Sequence, residues 1–402
     1  MEITKESYIE NEKGQKYLGK KGFLAFITLL SAFIPLSTDI YLPALPKMVE
    51  SLNTSTSIVN LTLIFFFVFY AFGTILWGPL SDKYGRRTIL IVGLAIYAIA
   101  SILCMFSGNV YQLILFRILQ SIGCGASTAV STAIVKDSYS GRKLVTVLAL
   151  VQSMAMLSPI ISPVIGAMIL RVFSWRGVFG ILSFLGVLTL AGSIAMEETI
   201  EKRYTGSIIN SISKLGVIAK NKDFMYILIT FSIMSIPSMS FISASSYIFV
   251  NGFGLSETVY SYYFAANAVF FLIGPIAYVK LSRYYNEIPY ITIAYIIMAI
   301  SGFAMFITGN LSPIIFMMSL IPASFFGSLI RPQTTSIILN QITEDAGAAS
   351  SVMSCAFTFF GCIGMLLISS SFLNRIAIMG LMYMITSVIS LILWLSISKK
   401  HA

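Results

Sequence analysis

Long, continuous apolar stretches constrain this chain more than any other feature. They follow one another along almost all of its 402 residues, of which only 10% are charged. A helix needs about 20 apolar residues to cross a bilayer, and these stretches do not alternate in polarity as membrane β-barrel strands would. We therefore predict an all-α membrane protein with twelve transmembrane helices, near residues 22–43, 57–80, 88–107, 110–135, 143–170, 175–195, 224–250, 257–279, 288–308, 312–335, 347–372 and 376–397.

The longest polar interruption lies in the middle of the chain, at residues 196–223. It divides the spans into two sets of six, and pseudo-symmetric halves of this kind are a recurrent transporter architecture. The predicted organisation is an N-terminal segment, a first six-helix half, a linker and a second six-helix half, over residues 1–21, 22–195, 196–223 and 224–398.

Basic residues are sorted between the two sides of the predicted membrane. Of the 26 Lys and Arg residues, 20 fall on the side of the chain termini, 4 on the other side and 2, Arg117 and Arg331, within spans. Because Lys and Arg are enriched in cytoplasmic loops, we predict a protein of the cell membrane with both termini in the cytoplasm. This bias also accounts for the net charge of +10, so no nucleic-acid partner is expected.

Asp39 is the only carboxylate predicted to lie well inside a span. It belongs to residues 35–46, PLSTDIYLPALP, at the end of the first apolar stretch. An ionisable group at membrane depth is costly and is by default a functional-site hypothesis. Arg117 lies about 10 Å into the fourth span at 1.5 Å per residue. Our interpretation is that Arg117 modulates the proton affinity of Asp39, directly or through water; the alternative is a structural arginine that snorkels or binds backbone carbonyls.

The loop between spans two and three reads GPLSDKYGRRTIL, residues 78–90. Gly85 permits a tight reversal, and a plain basic turn would also satisfy the charge bias. The loop closely resembles the signature loop of the major facilitator superfamily, whose acid docks at the cytoplasmic end of span eleven and helps to latch the outward-open state. For this chain the resemblance implies docking of the loop near residues 346–349, where a helix dipole favours negative charge. The implied latch residues are Gly78, Asp82, Gly85, Arg86, Arg87 and Asp137, the last within reach of the arginines.

Two further segments resemble signatures of the same superfamily. In residues 113–126, LILFRILQSIGCGA, the arginine is followed three residues later by glutamine, with Ser121 where glycine is usual. Residues 158–167, SPIISPVIGA, resemble the antiporter signature of its drug-exporting branches, although Ala167 replaces a common glycine. There, Pro159, Pro163 and Gly166 would bend the helix, because proline removes a backbone hydrogen bond.

Residues 35–46 look like the first span of the bicyclomycin and chloramphenicol resistance (Bcr/CflA) exporters, and five other segments match as well: 135–137, 174–176, 198–199, 262–267 and 346–350. The resemblance implies a proton-coupled multidrug antiporter of small amphipathic compounds, driven by the proton gradient without a cofactor and expected to be monomeric. Its pocket would lie between spans one, four, seven and ten. Candidate pocket residues, for each of which plain packing is the alternative, are Gln120, Ser127, Ser243, Tyr247, Tyr263 and Asn267.

Several functions are disfavoured by what the sequence lacks. There is no GxxxxGK[ST] loop for ATP-driven pumping. Apart from Asp39 and Arg117, the deep spans lack the acid–base pairs and metal-ligand clusters that an intramembrane hydrolase would need, and the single histidine, His401, is penultimate, so neither an enzyme nor a metal site is expected. A transporter that exports or imports one metabolite, such as an amino acid or sugar, stays an alternative, as does a non-transporting membrane sensor. The absence of a second acid within two turns of Asp39 favours neutral or zwitterionic cargo over permanent cations.

Overall fold

The computed structural model describes residues 15–282, 287–342, 346–369 and 374–401, and these ranges contain helices and turns but no β-strand. Residues 1–14, together with Arg283, Glu344 and Asp345, lie outside the described residues. The helices of the first half are α1 (Gly19–Ser31), α2 (Phe33–Asp39), α3 (Leu45–Ser51), α4 (Thr56–Tyr84), α5 (Arg86–Met105), α6 (Val110–Ser138), α7 (Gly141–Val172) and α8 (Trp175–Ala195). The linker forms α9 (Ile208–Ile218).

The second half repeats the pattern of long antiparallel helices. It consists of α10 (Lys222–Ser232), α11 (Ser235–Ser246), a π-helical turn (Tyr247–Gly252), α12 (Glu257–Leu281), α13 (Glu287–Thr308), α14 (Pro313–Leu329), α15 (Arg331–Leu339), α16 (Ala346–Ile368) and α17 (Arg375–His401). Eleven helices of the described chain are long and apolar enough to cross a membrane, and the bent first span brings the number to twelve. The predicted all-α fold with twelve spans is confirmed.

Side-chain caps set the start of several helices, including four at one end of the bundle. Ser55, Asn109, Ser256 and Ser312 each accept a hydrogen bond from the backbone N–H three residues further on. Such caps satisfy donors that have no partner within the helix. All four lie at the end of the bundle away from α9, which we call the opposite end; the other is the linker end.

Three spans are interrupted at positions that the sequence analysis did not single out. The first breaks at Ala32, with a bend of 47°, the seventh at residues 233–234 and the tenth at Ile330. Each break precedes a proline by two to four residues: Pro35, Pro237 and Pro332. Proline lacks an N–H and clashes with the carbonyl four residues earlier, which explains the breaks. Discontinuous spans are where transporters commonly bind cargo.

The fifth span, where the sequence analysis expects a bend at Pro159, Pro163 and Gly166, is one continuous helix. Pro159 and Pro163 lie inside α7, yet the helix continues without interruption from Gly141 to Val172. The two prolines therefore cost α7 hydrogen bonds without ending it, and the breaks of the fold fall in spans one, seven and ten instead.

The two halves are joined by side chains at the opposite end. Lys47 Nζ lies 3.0 Å from Glu257 Oε1, and Arg171 Nε donates to Thr258 Oγ1 at 3.1 Å. Ser369 accepts at its carbonyl from Ser57 Oγ, at 2.6 Å, and at its hydroxyl from Asn60 Nδ2, at 2.8 Å. At the linker end, α9 contacts both α4 and α16, so the linker touches one helix of each half.

Candidate functional site

Asp39 ends α2 and is 5% exposed. The hydroxyl of Thr38 lies 2.9 Å from Asp39 Oδ1 and 3.1 Å from the carbonyl oxygen of Ile34. Its single proton can serve only one of these acceptors at a time. Among the described residues no basic side chain forms an ion pair with Asp39. An ionised carboxylate that is buried without a counter-charge is costly. Protonation would remove that cost, so binding or release of a proton at Asp39 would change the stability of this site.

Four helices hold the backbone around Asp39. Within residues 37–41, which we call the Asp39 segment, Ser37 Oγ lies 2.7 Å from the hydroxyl of Tyr97 in α5, and its carbonyl accepts from Arg117 of α6 at 3.2 Å. Tyr41 exchanges a hydrogen bond of 2.6 Å with Thr62 of α4. On the fourth side the carbonyl of Ile40 lies against Gly166 of α7. The Asp39 segment is therefore in direct contact with α4, α5, α6 and α7.

Arg117 is completely buried and is surrounded mainly by aromatic rings. Its guanidinium carbon lies 4.2 Å from the ring centroid of Phe66, 4.8 Å from that of Tyr41 and 5.9 Å from that of Phe179. Nη1 donates to Gln120 Oε1 at 2.6 Å, whereas Nε and Nη2 have no hydrogen-bond partner in the described structure. Aromatic faces attract a desolvated cation, so these rings stabilise the charge of Arg117 where a carboxylate would otherwise be needed.

The structure brings Arg117 and Asp39 onto the same segment without pairing them. Arg117 contacts Ser37, two residues before Asp39, through a backbone carbonyl. The snorkelling alternative is wrong for Arg117, because its side chain is fully enclosed. A bond to a backbone carbonyl, the other half of that alternative, is present. An effect of Arg117 on Asp39 would therefore act through the position of the Asp39 segment.

Gly166→Ala is expected to weaken the packing of α7 on the Asp39 segment. A Cβ at this position would overlap the carbonyl oxygen and carbon of Ile40, and backbone atoms cannot move aside cheaply. Overpacking costs about 1–3 kcal/mol, so the unfolding temperature in detergent should fall. The matched control is Gly78→Ala in α4, where a Cβ meets nothing within 4 Å. Equal unfolding temperatures for the two variants would contradict the close contact.

The predicted latch residues come together at the linker end. Gly85 has φ +103° and joins α4 to α5. Arg86 donates through Nε to Asp137 Oδ2 at 2.9 Å and through Nη1 to Asp82 Oδ1 and Ser81 Oγ. Gly78 lies within α4. The expected reach of an arginine to Asp137 is thus present for Arg86.

One detail of the latch differs from expectation, and the docking of Asp82 stays a prediction. Arg87 does not contact Asp137; its Nη2 donates to the carbonyl of Ile194 at 2.6 Å. The side chain of Asp82 is 48% exposed and pairs with Arg86. Residues 343–345, which precede the expected docking point of Asp82, lie outside the described residues.

Glu198 is a latch residue to which the sequence analysis assigned no role. Its carboxylate accepts from the backbone N–H of Arg86 at 2.9 Å and of Arg87 at 3.2 Å. It therefore caps the start of α5, where a negative charge also meets the positive end of the helix dipole. A Cβ at Gly85 would overlap this carboxylate. Further along, the N–H of Tyr204 donates to the carbonyl of Asp82 at 2.9 Å. The linker between the halves is thus fastened to the loop.

The pocket candidates fall into two groups. Gln120 and Ser127 are fully buried inside the first half, where Gln120 joins Arg117 to Ser101 Oγ and Ser127 donates to the carbonyl of Cys124. Their hydrogen bonds are all made within the first half. The other four belong to the second half: Ser243, Tyr247, Tyr263 and Asn267.

Polar atoms of the second group lack partners. Tyr247 is 2% exposed and its hydroxyl has no hydrogen bond in the described structure; the same holds for Asn267 Oδ1. The ring of Tyr263 stacks on Phe249 with centroids 4.8 Å apart. Buried polar atoms without partners are uncommon, which makes Tyr247 and Asn267 better candidates for cargo contacts than Gln120.

An apolar cleft between α1 and α7 approaches Asp39 from the linker end. Its volume is about 590 Å³, within the usual range for sites that hold drug-sized ligands. Lys21 lies at one extreme of the cleft, and Leu36, one turn before Asp39, lies at the other. The cleft is lined by Lys21, Leu24, Ala25, Thr28, Leu29, Ala32, Leu36, Leu150, Met154, Leu157, Ser158 and Ile161.

Comparison with known proteins identifies relatives over the whole chain. The family model described as Major Facilitator Superfamily matches residues 27–369. An uncharacterized MFS-type transporter, YdgK, of Bacillus subtilis is 26% identical, covering 98% of each chain. A bicyclomycin resistance protein homolog of Haemophilus influenzae is also 26% identical, over 83% of this chain and 86% of its own. Among solved structures, the peptide transporter POT superposes with a TM-score of 0.77 over 96% of each chain, at 15% identity.

Proposed function

The chain belongs to the major facilitator superfamily and is a multi-pass membrane transporter, not an enzyme; from that premise we propose that it exports small amphipathic compounds in exchange for protons. The observation that carries the proposal is the burial of Asp39, unpaired, in a segment held by four helices. The relatives named for bicyclomycin and chloramphenicol resistance and for multidrug transport support an exporter of the Bcr/CflA type.

The proposed orientation places the linker end in the cytoplasm, and the charge bias supports it. The side-chain contacts between the halves at the opposite end then close the outer side, and the cleft beside α1 is reached from the cytoplasm. In this state Arg86 holds Asp82 within the first half. Rocking to the outward-open state would release Asp82 to dock on the start of α16, as in the latch of this superfamily.

In the proposed cycle, protonation of Asp39 and binding of cargo exclude each other. A proton that enters from outside neutralises Asp39. The Asp39 segment then rearranges, and the two halves return to the inward-open state. Cargo then enters the cleft and the proton leaves. One proton moving inward releases about 2.3 kcal/mol per 100 mV, enough for roughly 50-fold accumulation without a pH gradient. No bound cofactor is needed in this scheme.

The direction of coupling is tested with the purified protein in proteoliposomes. N-phenyl-1-naphthylamine, a neutral fluorescent amphiphile, serves as cargo. With an acidic lumen, protons leave the vesicle, so an antiporter accumulates the probe inside whatever the orientation of the protein. A symporter would deplete it. Accumulation should disappear with a protonophore and in vesicles without protein; depletion, or no gradient-dependent movement, would contradict proton antiport.

A further inference from the structure

The first turns of α12 lie level with the Asp39 segment, across the interface between the halves. Thr258, at the start of α12, accepts from Arg171 near the end of α7, and the two helices pack antiparallel. Gly166, which lies against Ile40, is one and a half turns before Arg171 on α7, or about 7.5 Å along the helix axis. The same distance along α12 from Thr258 covers residues 260–263. This stretch of the second half is therefore at the depth of the Asp39 segment.

Tyr260 is the residue of this stretch that interacts with Asp39. Its side chain is fully buried, and an electrostatic interaction joins its hydroxyl to the carboxylate of Asp39. The turn Leu42–Ala44, directly after the Asp39 segment, contacts both α11 and α12. From α4 and α7 the segment meets only uncharged groups, Thr62 and Gly166. The other charged or titratable side chains around it are Tyr97 and Cys104 of α5, Arg117 and Cys124 of α6, and Tyr247 of the π-helical turn.

Tyr260 is hydrogen-bonded to Ser245 in the last turn of α11. The two hydroxyl oxygens are 3.0 Å apart, and either can donate. Ser245 Oγ also lies 3.4 Å from the carbonyl oxygen of Ile242 in the same helix. Because each hydroxyl has one proton, the pair has two consistent arrangements, with both protons directed towards Ile242 or both towards Asp39. The π-helical turn, Tyr247–Gly252, follows within two residues, and such turns are frequent at functional sites.

We propose that Tyr260 is the positioning residue through which the second half responds to the charge of Asp39, a role that rests on the proposed proton antiport. A charge in the protein interior orients nearby hydroxyls strongly. An ionised Asp39 therefore attracts the proton of Tyr260, and Ser245 donates to Tyr260. When Asp39 is protonated, both hydroxyls turn to the carbonyl of Ile242, and α11 gains one internal hydrogen bond beside the π-helical turn. The two hydroxyls only rotate, and no proton passes along the pair.

Tyr260→Phe tests this role, because phenylalanine keeps the ring and removes only the hydroxyl. Without that hydroxyl the ionised form of Asp39 is less stable, so Asp39 keeps its proton up to higher pH. Cargo competes with this proton. As the pH is lowered, the KM for exchange of labelled N-phenyl-1-naphthylamine should therefore start to rise about one pH unit earlier than in the unchanged protein. Exchange is measured in proteoliposomes with the same pH on both sides. Gradient-driven accumulation should be largely lost.

Two further variants separate the steps. Ser245→Ala removes the connection to α11 but leaves the Tyr260 hydroxyl able to turn to Asp39. Accumulation should again be largely lost, while the KM should start to rise at no higher pH than in the unchanged protein. Tyr262→Phe is the matched control, since it removes a hydroxyl from the same helix on a side chain that is 58% exposed. It should change neither the KM curve nor accumulation.

The outcomes distinguish this role from the proposed function. A KM curve of Tyr260→Phe that coincides with that of the unchanged protein overturns the role of Tyr260, and so does an equal shift in Tyr262→Phe. Full accumulation in Ser245→Ala shows that the response does not reach α11 and overturns the arrangement. Lower unfolding temperatures in Tyr260→Phe and Ser245→Ala, with an unchanged KM curve, reduce the pair to a packing contact. If the unchanged protein shows no gradient-driven accumulation, or its KM does not depend on pH, the export proposal itself fails.

Discussion

Asp39→Asn is expected to abolish proton-driven accumulation while the protein stays folded. Asparagine keeps the size and one acceptor oxygen for the Thr38 hydroxyl, which now lies 2.9 Å from Asp39 Oδ1, but it cannot bind and release a proton. Without that step the accumulation of about 50-fold per 100 mV has no source. The measurement is gradient-driven accumulation of N-phenyl-1-naphthylamine in proteoliposomes, which should fall to the level of vesicles without protein.

The control variant for Asp39→Asn is Glu50→Gln, which neutralises an exposed carboxylate in α3 outside the Asp39 segment. It should transport like the unchanged protein. Exchange of labelled probe between equal concentrations, which needs no proton gradient, should continue in Asp39→Asn, because cargo binding and rocking are intact. Full gradient-driven accumulation by Asp39→Asn would refute its assignment as the proton carrier. Loss of exchange together with a lower unfolding temperature would instead indicate a structural role.

The positions of the spans were predictable because each span is a long run of apolar residues. A run of about 20 apolar residues has few other stable structures, and the predicted second span, 57–80, falls inside the observed α4, Thr56–Tyr84. The breaks in spans one, seven and ten were not predicted. Proline in a membrane helix is compatible with either outcome, as α7 shows by continuing through Pro159 and Pro163. Only the packing around each proline decides between them.

The surroundings of Asp39 and Arg117 were only partly predictable. The depth of both residues follows from counting along their spans, and their burial is observed. The rings around Arg117 come from three separate parts of the chain, at residues 41, 66 and 179, and no local pattern connects them. Gln120 could have been placed correctly, because residues three apart share a helix face and Arg117 is three residues earlier.

The cleft and the role of Glu198 depend on tertiary contacts alone. The cleft lies between α1 and α7, and the spacing of apolar residues in either helix does not reveal a gap between them. Glu198 lies 112 residues from Arg86 in the sequence, yet it accepts a hydrogen bond from the backbone N–H of Arg86. The sequence does place Glu198 just beyond the end of span six, on the same side of the membrane as the loop that precedes α5. An acid in that position can stabilise the N-terminus of a helix.

Arg117→Leu is expected to abolish transport without lowering stability. Leucine removes the donor to the Ser37 carbonyl and the cation between the rings of Tyr41 and Phe66. The substitution also removes a buried guanidinium whose Nε and Nη2 have no hydrogen-bond partners in the described structure, which offsets these losses. Replacing buried charges by apolar side chains is often neutral or stabilising by about 1–4 kcal/mol. Unfolding in detergent, followed by temperature, should therefore occur no earlier than in the unchanged protein.

The conservative variant, Arg117→Lys, separates charge from geometry. Lysine keeps the charge but has no planar fork and stacks less well on aromatic faces, so it can serve Gln120 or Ser37 but does not reproduce the whole site. Transport should be reduced but measurable in Arg117→Lys and absent in Arg117→Leu. If Arg117→Leu both unfolds earlier and loses transport in proportion, Arg117 is a packing residue. If it transports normally, the contact with Ser37 does not transmit changes at Asp39 to α6, and the proton and cargo must be coupled through α4, α5 or α7.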